Sequence, residues 1–314
     1  MDVLRLTLRQ LQIFVAVARS GSTTAASEQI ALSQSATSSA INELERVLSL
    51  RLFERAGKRL LLNDNGRALL PRALALLDGA AGVEQMARDS SAQAQSLRIG
   101  ASTTIGNYVL PTLLGRFLTQ QQLDQAPAWQ SRVMIGNTSV IAAAVAAFEL
   151  DVGLIEGPCH EATLEVTPWL QDELVIVAAP NHPLANSSRD PTVNARVPVK
   201  ALREALWLLR EAGSGTRETT DQLILPQLRS YRRSIELGSS EAIQRAAAQG
   251  LGLACLSHWA VEDLIETGRL CRLPTTLPKM LRQCYLVVHR GKQMTPALRG
   301  FIGCVSVGDF LPRP

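Results

Sequence analysis

The sequence predicts a small all-α head carrying a winged helix-turn-helix, a single linker helix, and a larger α/β domain in two lobes. Three observations carry this. Residues 6–65 hold three short helical segments and a basic hairpin in that order. Residues 66–90 hold a stripe of apolar side chains at helical spacing. From Leu97 onward strand-like and helix-like segments alternate, the pattern of a parallel α/β sheet.

The chain has 314 residues, more than one typical domain, and its 46% hydrophobic and 19% charged residues are ordinary globular material. No run is apolar enough to span a bilayer, and MDVLRLTLRQ lacks the basic-then-apolar order of an export signal, so a cytoplasmic protein is expected without a membrane partner. The net charge of +4 is concentrated: residues 1–72 hold 10 Lys+Arg against 6 Asp+Glu, whereas residues 73–314 balance at 22 of each. A basic face is the electrostatic footprint of phosphate binding. The five cysteines, Cys159, Cys255, Cys271, Cys284 and Cys304, form no C-x-x-C pair, which argues against a disulfide framework. The four histidines are equally scattered, so no metal site or cofactor is expected.

Within the head, Leu8, Leu11, Phe14, Val15 and Ala18 recur at the helical period. Gly21 ends that helix, and Ser22 or Thr23 caps the next, which contains Ala25, Ala26 and Ile30. Ser33 caps a third helix whose Ile41, Leu44 and Leu48 face inward. Gln34, Ser35, Thr37, Ser38 and Ser39 cluster at its start, where a recognition helix meets base edges. With Thr23, Thr24 and Ser33 they form the candidate DNA-reading set. Arg55, Lys58 and Arg59 follow in a hairpin around Gly57, suited to a wing that touches phosphate or the minor groove.

In the linker, Leu69, Ala73, Leu76 or Leu77, Ala80, Val83 and Ala87 make a stripe that one helix cannot bury alone, so pairing with a second copy is expected. Ser90–Ser96 reads as a polar hinge.

In the α/β part, strands are expected at Leu97–Ala101, Trp129–Gly136 and Asp151–Ile155, with helices near Ile105–Thr119 and Val140–Phe148. Glu173–Ala178, Trp207–Leu209, Ser234–Leu237 and Gly252–Leu256 supply a second group of strands, and Arg282–His289 returns to the first. Ligands of open α/β sheets sit at strand carboxyl ends against helix N-termini. Four such junctions are rich in hydroxyls: Ser102-Thr103-Thr104, Gly136-Asn137-Thr138-Ser139, Gly213-Ser214-Gly215-Thr216-Arg217 and Gly238-Ser239-Ser240. Each is expected to offer free backbone N–H groups to a small anion, with Arg210 and Arg217 adding charge. The candidate effector-binding set is Ser102, Thr103, Thr104, Asn137, Thr138, Arg210, Ser214, Thr216 and Ser239. The third junction lacks the G-x-x-x-x-G-K-[ST] pattern of a phosphate-binding NTPase loop.

The head resembles the LysR-type transcriptional regulators. The residues that carry the resemblance are Leu11/Phe14/Val17, Gly21-Ser22, Thr24-Ala25-Ala26, Leu32-Ser33-Gln34-Ser35-Ala36, Ser38, Ile41, Leu44-Glu45, Leu48 and Leu52-Phe53-Glu54-Arg55. Two departures stand out. The family's Leu-Thr-x-Ala-Gly step after the wing is here Leu62-Asn63-Asp64-Asn65-Gly66, and Ser39-Ala40 replaces a long polar or basic side chain. Fewer long side chains at the reading face shift weight toward the wing and DNA shape. LRIGASTTIGNYVLP (97–111), DVGLIEG (151–157) and LLREAGSGTRE (208–218) resemble the branch of the family with CysL-like and CbbR-like members.

That resemblance implies a two-lobed, periplasmic-binding-protein-like effector domain and a small anionic signal, either a sulfur oxyanion or a phosphorylated or carboxylated metabolite. It divides the chain into a DNA-binding domain at 1–65, a linker and dimerisation helix at 66–93, and an effector domain at 94–314. Lobe I would take about 94–165 and 270–314, and lobe II about 166–269. The expected partners are double-stranded promoter DNA, the effector, further copies in a homodimer or homotetramer, and RNA polymerase. Two other readings compete: a solute-binding protein, or an enzyme using Ser102 or Cys159, with the head serving assembly. No nucleophile elbow or catalytic histidine motif supports the enzyme, so no catalytic residue is assigned.

Overall fold

A computed structural model of the chain describes residues 5–57, 59–88, 97–120, 131–186 and 196–306. They fall into two compact units, one drawn from Met1–Gln93 with Gly291–Thr295, the other from Ala94–Arg290 with Pro296–Pro314.

The first unit opens with α1 (Leu8–Ser20), started by a capping box between Thr7 and Gln10 and ended by Gly21 in the left-handed region at φ 65°. Next comes α2 (Thr23–Gln29), whose cap is Ser22, the hydroxyl accepting from Ala25 N–H at 3.5 Å. Ser33 then caps α3 (Gln34–Leu48), accepting from Ala36 N–H at 3.1 Å. The hairpin of β1 (Phe53–Ala56) and β2 (Arg59–Leu62) pairs Phe53 with Leu62, and α4 (Asp64–Arg88) follows. Leu11, Phe14, Val17, Ala26, Ile41, Leu44, Leu52 and Ala73 build the core. Leu8, expected on the buried face, is 48% exposed; burial begins one turn later, where α1 meets α2 and α3.

The linker stripe divides. Leu69, Ala73 and Leu77 pack on the head's own core, whereas Leu76 and Val83 stay exposed. Ala87, the hinge Ser90–Ser96, Trp129 and Lys58 lie outside the residues whose side chains are described.

The second unit runs β3 (Leu97–Ser102), α5 (Thr103–Tyr108), α6 (Leu110–Gln120), β4 (Ser131–Gly136), α7 (Thr138–Ala146), β5 (Val152–Glu156), β6 (Leu164–Ala178), α8 (Pro183–Asn186) and α9 (Val199–Glu204). It continues with β7 (Leu206–Arg210), α10 (Gly215–Leu228), β8 (Arg233–Leu237), α11 (Ser240–Ala248), β9 (Leu253–Ser257), α12 (His258–Glu266), β10 (Cys271–Arg272), β11 (Met280–His289) and α13 (Pro296–Ser306). The strands form one sheet in the order β4-β3-β5-β11-β6-β9-β7-β8, with β10 paired to the end of β6.

Lobe I is the parallel set β4-β3-β5, and lobe II the parallel set β9-β7-β8. The long strands β6 and β11 run antiparallel and belong to both. Each lobe is covered on both faces: α5, α6 and α13 oppose α7 on lobe I, and α9 and α10 oppose α11 and α12 on lobe II. Parallel strands buried on both faces need continuous apolar runs, which β5 and β7 supply.

Two segments depart from expectation. The single helix foreseen over Ile105–Thr119 is two, because Pro111 has no N–H to carry the ladder of α5 forward and sits instead in the first turn of α6, where that donor is not needed. The strand foreseen at Glu173–Ala178 starts ten residues upstream of Leu174, at Leu164. Pro168 had hidden it: Pro has no N–H for the ladder, and pairing slips there, Leu170 facing Cys284 but Pro168 facing Tyr285.

Candidate functional sites: a nucleic-acid head and an effector cleft

On the head, Ser33, Gln34, Ser35, Ser39 and Thr24 are exposed and Thr23 and Ser38 half-buried, all around the start of α3. Gln34 Nε2 donates to Thr23 Oγ1 and Ser38 Oγ, each at 3.4 Å, so the amide ties the end of one helix-turn-helix arm to the other. Thr37 is the exception. It is fully buried and its hydroxyl donates to Ser33 O at 3.1 Å, so it secures the first turn of α3 and cannot reach a base. Arg55 and Arg59 are exposed on the wing. The wing is fixed at both ends: Glu45 of α3 accepts from Leu52 N–H and from Arg51, both at 2.8 Å, and Leu60 N–H donates to Gly21 O at 2.9 Å.

After the wing, Asn63 caps the start of α4, accepting from Gly66 N–H at 2.9 Å while its amide donates to Arg51 O at 2.9 Å. A Cβ on Gly66 would stand 2.2 Å from Leu52 O, so only glycine allows α4 to start this close to the wing.

In the second unit, strand carboxyl ends from both lobes meet over the middle of the sheet. Thr138 Oγ1 donates to Glu156 O at 2.8 Å and accepts from Gly215 N–H at 3.2 Å. Ser139 N–H donates to Gly213 O at 3.1 Å. A Cβ on Gly215 would lie 1.7 Å from Glu156 O, so the start of α10 touches the end of β5 directly. Asn137 Nδ2 donates to Glu211 Oε1 at 3.3 Å. The fourth junction joins through Arg210, whose Nη1 donates to Ser240 Oγ at 2.7 Å. Gln244 of α11 donates to Tyr108 Oη of α5 at 3.1 Å.

The expectation of free N–H groups is corrected at these junctions. Asn137 caps Val140 N–H, Ser214 caps Arg217 N–H and Ser239 caps Ala242 N–H. Ser102 caps nothing; its hydroxyl donates to the Glu156 carboxylate, which itself accepts from Thr104 N–H at 3.3 Å. Thr103 donates to Gly136 O at 3.1 Å. A capping side chain and a ligand compete for the same first-turn donors.

Beneath these junctions lies a buried charged cluster. Arg282 of β11 donates through Nε to Asp172 Oδ2 at 2.7 Å and through Nη1 to Thr216 Oγ1 at 2.8 Å. Its Nη1 is 3.9 Å from Glu156 Oε1. Ser257, at the end of β9, donates to Asp172 Oδ1 at 2.9 Å. All these side chains are buried. Burial pushes the Asp172 carboxyl up, and the neighbouring Glu156 adds to this; the Arg282 charge and the Ser257 bond only partly offset it.

Residues 90–307 match the LysR substrate binding domain, and residues 8–67 match the bacterial regulatory helix-turn-helix protein, lysR family. The chain is a LysR-type transcriptional regulator. Among similar proteins, the HTH-type transcriptional regulator YeiE of Escherichia coli (strain K12) is 45% identical over 299 residues, 95% of this chain and 97% of that one. The HTH-type transcriptional regulator CysL of Bacillus subtilis (strain 168) is 33% identical over 259 residues, 82% of each chain. The regulatory domain of CcmR from Synechocystis PCC6803, solved in complex with 2-PG, is 28% identical with a TM-score of 0.59, over 69% of this chain and 99% of that one.

LysR-type regulators bind promoter DNA and small-molecule effectors and act as oligomers, and the family is not catalytic. The solute-binding and enzymatic readings of the α/β part therefore give way. Among the described residues no metal-binding cluster occurs, and no helix is long and apolar enough to cross a membrane. In this LysR-type regulator, sequence reasoning missed Glu156, Asp172, Glu211, Ser257 and Arg282. The available signal was an acid closing the apolar run DVGLIE and the charges Asp172 and Arg282 beside apolar runs, which are costly to bury unless paired.

Proposed function

We propose that this LysR-type regulator binds promoter DNA through Thr23, Thr24, Ser33, Gln34, Ser35, Ser38, Ser39, Arg55, Lys58 and Arg59, and that its effector is a small anion held between the two lobes. The observation that carries the effector reading is the meeting of four hydroxyl-rich strand-to-helix junctions, one of them beside the buried guanidinium of Arg210. Ser102, Thr103, Thr104, Asn137, Thr138, Ser214, Thr216 and Ser239 line it. A sulfur oxyanion, a phosphorylated metabolite or a carboxylate matches that donor set. Copies pair through the exposed Leu76 and Val83 side of α4, as dimer or tetramer, and the DNA-bound assembly acts on RNA polymerase in the cytoplasm. The effector switches it only if it binds two assembly states with different affinity.

Thermal unfolding of the full chain against sulfite, sulfate, 2-phosphoglycolate and short carboxylates tests the ligand class, since a ligand of the folded state raises the melting temperature by mass action. One anion class should shift it, and Thr104→Ala or Ser214→Ala should abolish the shift while promoter binding persists. An undiminished shift in both variants would remove the effector from this cleft.

A further inference from the structure

Glu211 occupies a place that the cleft chemistry reserves for an anion. Its two carboxylate oxygens engage the fork of Arg210, Nε to Oε2 at 2.8 Å and Nη2 to Oε1 at 2.8 Å. That guanidinium is 3% exposed, and its remaining nitrogen is held by Ser240. Oε1 of Glu211 also accepts from Asn137 at the end of β4, in the opposite lobe. One carboxylate thus takes donors from two residues, Arg210 before the third junction and Asn137 of the second, while Ser240 of the fourth accepts from the same guanidinium. Glu211 itself is only half-buried and lies on the loop between β7 and α10, free of any helix or strand ladder. A planar pair of oxygens on a buried guanidinium is the bidentate geometry by which arginine recognises carboxylates and oxyanions.

We propose that Glu211 is a tethered competitor for the effector, a carboxylate built into the chain that fills the Arg210 fork and clasps Asn137 until an external anion displaces it. This rests on the placement of the effector between the lobes. It deepens that placement by naming the recognition element: an anion that presents two adjacent oxygens to Arg210 and a third acceptor to Asn137. Displaced Glu211 can swing to solvent, because its side chain is 24% exposed, whereas Arg210 cannot follow. A group tethered by a short arm competes at an effective concentration in the millimolar range, so Glu211 sets a threshold below which weak anions do not register. Burial alone would push the Glu211 carboxyl up; Arg210, its own backbone N–H and Asn137 outweigh burial and hold it below the ordinary carboxylate range, so the competitor stays charged near neutrality.

The experiment uses the full chain and two variants, Glu211→Gln, which keeps the shape and loses the charge, and Glu211→Asp, which keeps the charge and shortens the arm. Sulfate and formate are the probes, titrated against chloride at equal ionic strength, with melting temperature as the readout. Both variants should melt below the parent in chloride and recover with sulfate or formate at concentrations at least about tenfold lower than the parent needs. Adding Arg210→Met to Glu211→Gln should erase the recovery. Equal anion responses in parent and variants would overturn the proposal, as would a recovery that survives Arg210→Met. Failure of the effector placement shows differently: Thr104→Ala and Ser214→Ala then leave the effector response intact, whatever the Glu211 variants do with sulfate.

Discussion

Arg282 is enclosed with two carboxylates, Asp172 and Glu156, so removing its charge leaves acids buried without a counter-ion. Breaking such a group from one side typically costs about 3–5 kcal/mol. Arg282→Met should therefore lower the melting temperature severely. Asp172→Asn should cost less, because burial already raises the Asp172 carboxyl and the amide keeps an oxygen to accept from Ser257 or Arg282. The signs of the two shifted acids are opposite. Asp172 is raised, so its contribution is present below the unfolded value of about 3.9 and is lost as pH rises through the folded value. Glu211 is lowered, so its contribution is present above about 4.3 and is lost as pH falls through the folded value. A melting profile from pH 3 to 7 should lose part of its acid limb in Glu211→Gln; an unchanged limb would separate Glu211 from acid stability. The thiols give a further check. Burial pushes Cys255 up to about 12 and also raises Cys284. A thiol–disulfide reagent at pH 8 should leave both untouched in the native chain and reach all five cysteines after unfolding.

At the scale of elements, the junction between wing and linker is the sharpest test. Asn63→Ala removes the cap of α4 and the bond to Arg51 O, a loss of about 1–2 kcal/mol. Gly66→Ala should cost more, because its Cβ meets backbone rather than a movable side chain. Separate melting of the head in the two variants would rank them, and the reverse order would refute the packing account. The caps of the head are legible in the sequence because Ser22 and Ser33 act on their own helix within three residues, whereas at Asn137, Ser214 and Ser239 the same local chemistry takes up the N–H groups expected for a ligand. The helices of the head and most strands were legible for the same local reason, through periodicity and turn chemistry. The bridging part of β6 was not, since Pro168 reads as a break and only its partner β11 tells where the ladder slips. Nor were the charges of the cleft floor: Glu156, Asp172 and Arg282 lie on three different strands, up to 126 residues apart in chain number, and no local pattern joins them. Thr37 is not legible as core, because a polar residue at a helix start faces DNA or core depending on a single step of about 100°.

For the whole molecule, the excess positive charge lies in the first 72 residues, which include the helix-turn-helix. Arg55→Ala and Arg59→Ala should each weaken promoter binding across sequences and reduce the slope of log affinity against log salt by about 1 per protomer. Ser35→Ala or Ser38→Ala should instead alter the preference among operator variants with little change in slope. Equal salt slopes in parent and arginine variants, measured by fluorescence anisotropy, would take the wing off the phosphate backbone.

The sheet order has a mechanical meaning. Between the stretch of β11 that pairs with β5 and the stretch of β6 that pairs with β9, the sheet narrows to these two strands among the described residues, and Asp172 faces Arg282 there. A two-stranded ribbon resists stretching, since the covalent chain lies along the load with the interstrand hydrogen bonds across it, but it twists readily. On the effector placement proposed above, a ligand between the lobes would act as a torque on a torsion bar. Its output would be a rotation of one lobe about the ribbon axis, with the Asp172–Arg282 pair bracing the waist against that twist.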